Sequence, residues 1–196
     1  MSDPLFAEDD EANTPLTEEE RAQLIPTYIT QRRELNEAEL ANISEATKWL
    51  ASRRREVLDD AFLKELHRRM FGKVWQWAGE YRTTPRNIGI DAYRIPTEVR
   101  QLVDDVQYQV EHETYPPDEI AVRFSHRLVS IHPFPNGNGR HSRMVADLLA
   151  VQLEQKPFTW GRMSLIDPSA TRRAYIAALQ AADAHDIEPL LAFARS

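Results

Sequence analysis

The chain has 196 residues, of which 42% are hydrophobic and 28% charged, and its formal net charge is −7. This length is typical of one domain, and the acidic balance excludes a global basic surface for nucleic acid. The absence of cysteine excludes a disulfide framework and thiolate metal sites. No apolar run approaches the roughly 18 residues of a membrane helix, and the acidic N-terminus lacks an apolar signal core. We therefore expect a soluble, cytoplasmic protein that binds neither nucleic acid nor membrane.

The N-terminal part is predicted to be a tail followed by a helical arm. Residues 1–16 are acidic and predict a disordered tail. In the arm, residues 17–58, the pair Thr17 and Glu20 forms a capping-box pattern that predicts a helix start at Glu18. A short helix is predicted over 27–35, and Asn36 is predicted as the N-cap of a longer helix after it.

The remaining residues, 59–196, are predicted to form the core domain. Apolar spacing predicts helices at 59–71, 96–113, 117–131, 138–154, 168–183 and 187–194. One segment, residues 83–96, instead has β-branched and aromatic residues around Gly89 and Asp91, which predicts a short hairpin or extended flap. The predicted fold class is all-α with a small β-hairpin flap.

A glycine-rich loop leads into the helix predicted at 138–154. In the stretch HPFPNGNGRHSR, residues 132–143, Gly137 and Gly139 allow the backbone to curl close to a phosphate. The free N–H groups at the start of the next helix would bind that anion. Arg140 and Arg143 lie three residues apart on the first turns, and two guanidiniums at this place suit a polyphosphate.

The residues just before this loop suggest a chemical step. His132 lies upstream of the glycines, where a neutral imidazole is a candidate general base for a hydroxyl that approaches the same phosphate. Phe134 is expected to anchor the loop in the core. The stretch as a whole therefore predicts a phosphate site with a base beside it.

This stretch resembles the signature of the Fic (Fic/Doc) family, H-x-F-x-(D/E)-G-N-(G/K)-R-x-x-R. The residues that match are His132, Phe134, Gly137, Asn138, Gly139, Arg140 and Arg143. The segment LHRRMFGKVWQWAGEYR and the C-terminal RRAYIAALQAADAHDIEPLLAFA are also similar to helices of the family, and the resemblance extends from about residue 27 to the end. The N-terminal LIPTYITQRRELNEAEL most resembles the bacterial subgroup labelled mobile mystery protein B.

The resemblance implies transfer of AMP from ATP to a Ser, Thr or Tyr hydroxyl of a target protein, with Mg²⁺ or Mn²⁺. It implies that His132 takes the hydroxyl proton and that the loop of residues 137–139 holds the α- and β-phosphates. Arg140 and Arg143 would neutralise the outer phosphates, with Arg143 facing the γ-phosphate. The flap would align the target segment by strand addition. The flap residues concerned are Arg86, Asn87, Ile88, Gly89 and Ile90.

Asn136 occupies the position where the family usually has a carboxylate that binds the metal. Mg²⁺ prefers charged oxygen ligands, whereas asparagine offers only a neutral carbonyl oxygen. Three outcomes are open: metal bound mainly through phosphates and water, a donor other than ATP, or nucleotide binding without transfer. The last outcome describes the alternative function, a catalytically weak nucleotide-binding regulator that acts through partner binding.

An inhibitory motif is a further implication of the resemblance. Thr30 and Glu34 lie four residues apart and match the family pattern (S/T)-x-x-x-E-(G/N), although Leu35 stands where glycine or asparagine is usual. The implied contact is an ion pair of Glu34 with Arg143 that obstructs the γ-phosphate. The alternative is an ordinary solvated helix in a charged stretch. The identity of the target, the preferred nucleotide and the formation of a homo-oligomer are left open by the sequence.

Overall fold

The structure is a computed structural model that describes residues 16–52, 55–161 and 168–196, without the side chains of residues 168 and 169. Most of the predicted tail, residues 1–15, lies outside the described residues. Within the described residues the regular structure is helical, as predicted. The helices are α1 Glu18–Arg21, α2 Arg32–Ala51, α3 Asp60–Phe71, α4 Ile95–Glu111, α5 Pro117–Ile131, α6 Asn138–Gln152, α7 Pro168–Asp183 and α8 Glu188–Arg195.

Helix α5 is the centre of the bundle. It packs against α4 and α6 on its long sides and also contacts α8. Its buried side chains include Phe124 and Leu128, and the partner helix α6 buries Val145 and Leu149 beside them. Because α5 ends at Ile131 and α6 begins at Asn138, the intervening loop is held between two tightly packed helices.

Helix α2 lies along α3 and joins the N-terminal arm to the core. Asn42 of α2 fixes this packing, because its side chain donates to the carbonyl of Arg69 at 2.8 Å and accepts from the N–H of Lys73 at 2.9 Å. The segment between α1 and α2 is also tied to the core, since Ile25 N–H donates to the carbonyl of Val74 at 2.8 Å.

The helix predicted over 27–35 is wrong in its extent. Residues 27–31 form a turn and irregular backbone, and α2 begins at Arg32. Asn36 is therefore inside α2 and is not its N-cap. The physical reason is the capping contact of Glu34, whose carboxylate accepts from the N–H of Gln31, the N-cap residue, at 3.1 Å. The capping box of Thr17 and Glu20 is confirmed at the start of α1.

The predicted β-hairpin is also wrong. Residues 83–91 contain bends and irregular backbone, a 3₁₀ helix follows at Ala92–Arg94, and none of these described residues is in a β-strand. The β-branched and aromatic residues were a misleading signal, because the buried guanidinium of Arg82 binds carbonyls in this segment at Thr84 and Ile90. We call residues 83–91 the flap loop.

In the described part of the chain, no helix has both the length and the apolar character to cross a bilayer.

Candidate active site

His132 lies at the C-terminal end of α5 in a left-handed backbone conformation, with φ 55° and ψ 60°. A non-glycine residue in this region costs about 1–3 kcal/mol and persists only where the surrounding structure fixes it. The residue is 6% exposed. The left-handed turn ends α5 and starts the loop that reaches α6, so that the predicted base and the glycine loop are held by the same pair of helices.

The environment of His132 favours its neutral form. Burial and, after it, the positive charges of Arg82 and Arg86 together lower the pKa of the imidazole to about 4, against a hydrogen bond with the backbone of Val129 that raises it. A neutral imidazole with one nitrogen engaged by a backbone carbonyl keeps a lone pair on the other nitrogen. At neutral pH the ring is therefore in the form that accepts a proton.

The loop after His132 is closed by Asn138. The side-chain oxygen of Asn138 accepts from the N–H of Phe134 at 2.9 Å, and its side-chain nitrogen donates to the carbonyl of Phe134 at 2.8 Å. Phe134 itself is completely buried, which confirms that it anchors the loop. The amide of Asn138, predicted to contact nucleotide, is thus used to shape the loop, and the groups it leaves for an anion are those of the backbone.

His67 of α3 is a second anchor of this loop, and it was not predicted from the sequence. Its Nδ1 accepts from the N–H of Gly79 at 3.0 Å, so Nε2 carries the proton and donates to the carbonyl of Asn136 at 3.0 Å. The ring also stacks on Phe134 with centroids 3.7 Å apart. Burial holds the pKa of His67 well below its usual range, so the ring stays neutral. No sequence signal could reveal it, because His67 and Asn136 are 69 residues apart.

The start of α6 has the form of an anion site. Gly137 is the N-cap, with φ 78°, and Asn138 and Gly139 begin the helix. The first N–H groups of a helix have no intrahelical acceptor, and the helix dipole adds partial positive charge there. The predicted glycine loop is therefore a helix N-terminus, which can bind phosphate through backbone N–H groups.

Arg140 is held by a carboxylate of the N-terminal arm. Its Nη1 donates to Oε2 of Glu39, on α2, at 2.7 Å, and its guanidinium lies 4.8 Å from the centre of the Phe71 ring. The other carboxylate oxygen of Glu39 accepts from Nε1 of Trp75 at 2.7 Å. The Glu39 side chain is 8% exposed. Sequence reasoning did not single out Glu39, which lies 101 residues from Arg140.

Arg143 lies one turn further along α6. Its Nε donates to the carbonyl of Gly139 at 3.1 Å, and its guanidinium lies 5.0 Å from the centre of the Tyr175 ring on α7. The contact with Gly139 draws the arginine back toward the start of α6. Both predicted arginines therefore lie near the helix end that would bind the anion.

Asn136 faces its own loop. Its side-chain oxygen accepts from the N–H of Gly137 at 2.6 Å. In the part of the chain that the structure describes, no group of three or more His, Asp or Glu side chains is placed to hold a metal ion. The donor that residue 136 offers to Mg²⁺ is one neutral oxygen, already shared with an N–H group. This fits an ion that is carried mainly by nucleotide phosphates, and it does not fit a metal held by the protein alone.

Glu34 does not make the predicted contact with Arg143. Its carboxylate accepts from the N–H groups of Thr30, at 2.8 Å, and Gln31, at 3.1 Å, and also from the hydroxyl of Thr30. These hydrogen bonds hold the pKa of Glu34 below its usual value. Arg143 is not among the contacts of Glu34 in the described residues, because the carboxylate caps the start of its own helix. The α2 carboxylate that reaches an arginine of the glycine loop is Glu39.

The flap loop lies against His132 and is not a hairpin. Gly89 has φ 88°, and a Cβ on it would be 2.6 Å from Cβ of His132. The N–H of Ile90 donates to the carbonyl of Ile131 at 3.3 Å. Asn87 is exposed and Ile88 is 48% exposed, so the outer surface of the flap loop is open to a partner.

The side chain of Arg86 is buried against the N-terminal arm. Its guanidinium binds both carboxylate oxygens of Glu20, on α1, and its Nη1 donates to the hydroxyl of Thr84 at 2.9 Å. The Arg86 and Glu20 side chains are 4% and 9% exposed, so this arginine supports the flap loop from the inside. Beside it is an open cavity of about 270 Å³. The lining residues are Thr83, Pro85, Arg86, Gly89, Ile90, Asp91, Ala92 and Tyr93.

The chain is similar to proteins named as protein adenylyltransferases. The chain is 32% identical over 148 residues to the protein adenylyltransferase fic-1 of Caenorhabditis briggsae, an alignment that covers 74% of this chain and 28% of the relative. It is 31% identical over 133 residues to the protein adenylyltransferase Fic of Drosophila grimshawi, covering 66% of this chain and 26% of the relative. The chain thus spans about a quarter of the length of these relatives.

The fold is shared with solved structures. The BepC effector protein of Bartonella tribocorum, crystallised with bound AMPPNP, superimposes with a TM-score of 0.69 at 21% identity, covering 91% of this chain and 97% of that chain. Residues 134–508 of Fic-1 from C. elegans give a TM-score of 0.64 at 24% identity, covering 90% of this chain and 51% of that chain. The sequence pattern of the Fic/DOC family matches residues 57–150, which include His132, the glycine loop and the flap loop. The chain therefore contains a Fic/DOC family domain.

Proposed function

We propose that this protein transfers a nucleotidyl group, AMP from ATP, to a Ser, Thr or Tyr hydroxyl of a target protein. The observation that carries the proposal is the placement of His132, buried and neutral, next to the N-terminus of α6 and beside the flap loop. A base, an anion site and an exposed loop for the acceptor segment are thus adjacent. The relatives named as protein adenylyltransferases support the choice of AMP.

In the proposed reaction the acceptor oxygen attacks the α-phosphorus of ATP. The bond from the α-phosphorus to the oxygen that bridges to the β-phosphate breaks, pyrophosphate leaves, and the hydroxyl proton passes to His132. The N–H groups at the start of α6 hold the phosphates. Arg140 and Arg143 offset the charge on the outer phosphates, and the flap loop presents the acceptor segment to His132.

A divalent ion, Mg²⁺ or Mn²⁺, would stabilise negative charge on the phosphates when bound with the nucleotide. Asn136 is the candidate protein ligand, with one neutral oxygen. Since Mg²⁺ often uses one or two carboxylates together with phosphates, the ion here depends on the nucleotide for most of its negative ligands.

The N-terminal arm is proposed to restrain the transfer through Glu39 and not through Glu34. The carboxylate of Glu39 occupies Nη1 of Arg140 at 2.7 Å and is itself fixed by Trp75. A phosphate that binds this guanidinium must share it with a buried negative charge. The restraint would thus act on the first arginine of the glycine loop.

A catalytically weak nucleotide-binding regulator is the second candidate. The observation that favours it is the neutral Asn136, whose oxygen accepts from Gly137 N–H at a point where a metal-binding carboxylate is usual in the family. Such a protein would bind ATP and not modify a target.

One experiment separates the two candidates. The chain is incubated with labelled ATP, Mg²⁺ or Mn²⁺ and a cell lysate, and label on protein is compared for wild type and His132→Ala. His132→Asn is a second variant, because asparagine tolerates the left-handed backbone, and His112→Ala, an exposed surface histidine, is the matched control. Removal of a general base typically lowers the rate by on the order of 100- to 10,000-fold, with ATP affinity retained. Normal labelling by both His132 variants would refute the transferase proposal, whereas ATP binding without labelling by wild type would favour the regulator.

A further inference from the structure

Arg82 lies directly before the flap loop and is 3% exposed. Its guanidinium uses all three of its nitrogens as donors to backbone carbonyls. Nε donates to His132 at 2.7 Å, Nη1 donates to Thr84 at 2.9 Å, and Nη2 donates to Ile90. A buried arginine is normally paired with a carboxylate. In the described residues, however, every acceptor that the Arg82 guanidinium hydrogen-bonds is a backbone carbonyl oxygen.

Arg82 and the flap loop donate hydrogen bonds to backbone carbonyls at and just after the C-terminal end of α5. The last carbonyls of a helix have no intrahelical donors. Here the carbonyl of Ile131 accepts from Ile90 N–H at 3.3 Å, that of His132 accepts from Arg82 Nε, and that of Pro133 accepts from the Arg82 N–H at 2.9 Å. Three successive carbonyls around the left-handed turn are thus bound by Arg82 and the flap loop.

We propose that Arg82 is a positioning residue for the transfer, holding the backbone of His132 and both ends of the flap loop as one rigid unit. This inference rests on the proposed function, in which His132 is the base and the flap loop presents the acceptor. Without the guanidinium, the left-handed turn at His132 loses the donor to its carbonyl, and Thr84 and Ile90 lose their common partner. The base and the acceptor segment would then move relative to each other.

The nucleotide site is held by other contacts. The carbonyl of Asn136 is bound by His67, and Phe134 is bound by Asn138. Arg82 contacts neither pair. Loss of Arg82 is therefore expected to lower the rate of transfer and to leave ATP affinity unchanged, a division that a general loss of structure would not produce.

The charge of Arg82 gives a second measurable effect, a shift of the pH–rate profile. Arg82 and Arg86 are the charged groups that depress the protonation of His132 in addition to its burial. Arg82→Gln removes one of these charges, so the acidic side of the pH–rate profile moves to higher pH. Arg82→Lys keeps the charge but cannot reach three carbonyls, so the rate falls while the acidic side of the profile stays in place.

The test measures transfer rate, ATP affinity and the pH–rate profile for Arg82→Gln and Arg82→Lys. Both variants should lose on the order of 100-fold in rate, since a displacement of about 1 Å has that effect on a reacting pair. Arg94→Gln is the matched control. Arg94 follows the flap loop, its side chain is 52% exposed, and its ion pair is with Glu98, so the transfer rate of this variant should equal that of wild type.

Wild-type rates in both Arg82 variants, or an equal loss of ATP affinity and rate, would overturn the inference. If Arg82→Gln does not fold, Arg82→Lys decides the matter through its rate and its unshifted pH profile. Normal transfer by both His132→Ala and His132→Asn would refute the proposed function instead, whereas inactive His132 variants together with fully active Arg82 variants would refute only the inference about Arg82.

Discussion

Gly137 and Gly139, the two glycines of the glycine loop, are predicted to be required for different properties, Gly137 for stability and Gly139 for ATP binding. Gly137 has φ 78°, and a Cβ on it would lie 2.6 and 2.7 Å from two ring carbons of the buried Phe71 and 3.3 Å from Nε2 of His67. A left-handed non-glycine residue costs about 1–2 kcal/mol, and overpacking a rigid core costs about 1–3 kcal/mol. Gly137→Ala should therefore lower the free energy of unfolding by about 2–5 kcal/mol.

Gly139→Ala is the matched comparison. Gly139 is helical, and the nearest atom to an added Cβ is a ring carbon of Tyr175 at 4.0 Å. Alanine in place of glycine inside a helix stabilises by roughly 0.5–1 kcal/mol, so this variant should be at least as stable as wild type. Its Cβ would occupy space that a phosphate approaches, so ATP binding should weaken although the fold is intact.

Urea unfolding and isothermal titration with ATP measure the two effects. For a domain of this size, 1 kcal/mol corresponds to about 2–4 °C in Tm, so Gly137→Ala should melt on the order of 10 °C below wild type. Equal unfolding midpoints for Gly137→Ala and Gly139→Ala would refute the steric reasoning. Unchanged ATP affinity in Gly139→Ala would place the phosphate away from the start of α6.

Three further outcomes are expected. Asn136→Asp adds a charged oxygen at the proposed metal position and should lower the metal concentration needed for ATP binding, measured by titrating Mg²⁺ into the nucleotide-bound protein; an unchanged midpoint would show that residue 136 does not face the ion. Glu39→Gln should raise ATP affinity and transfer by releasing Arg140, whereas Glu34→Gln should only weaken a helix cap; a fall in ATP affinity for Glu39→Gln would show that Glu39 instead orients the arginine. Burial lowers the pKa of His141 to about 4, below the 6.5 of an unfolded histidine, so the unfolded state binds the extra proton and stability should fall as pH drops from about 6.5 to about 4. In that window His141→Gln should reduce the slope of unfolding free energy against pH, and an unchanged slope would contradict the assignment.

Local signals predicted the helices well and failed where a distant side chain decided the backbone. The helix predicted at 117–131 is confirmed, as Pro117–Ile131, because its apolar spacing acts within the segment. The hairpin predicted around Gly89 failed, because the guanidinium of Arg82 and the N–H of Ile90 direct this backbone onto the end of α5. The helix start predicted at Asn36 failed because Glu34 caps α2 from within its first turn.

The residues of the candidate site also separate into those that the sequence predicted and those that only the structure revealed. His132, the glycines and the arginines lie in one short stretch, so the sequence by itself determined that a histidine precedes a glycine-rich helix start with two arginines. The sequence could not determine which side chains hold that stretch, because His67 and Glu39 reach it across 69 and 101 residues. Such contacts exist only after α2 and α3 pack against the core. Tertiary structure alone therefore decided that a buried Glu39 holds Arg140, that His67 fixes the loop, and that Arg82 joins His132 to the flap loop. The reason is that hydrogen bonds depend on distances in space that residue order does not specify.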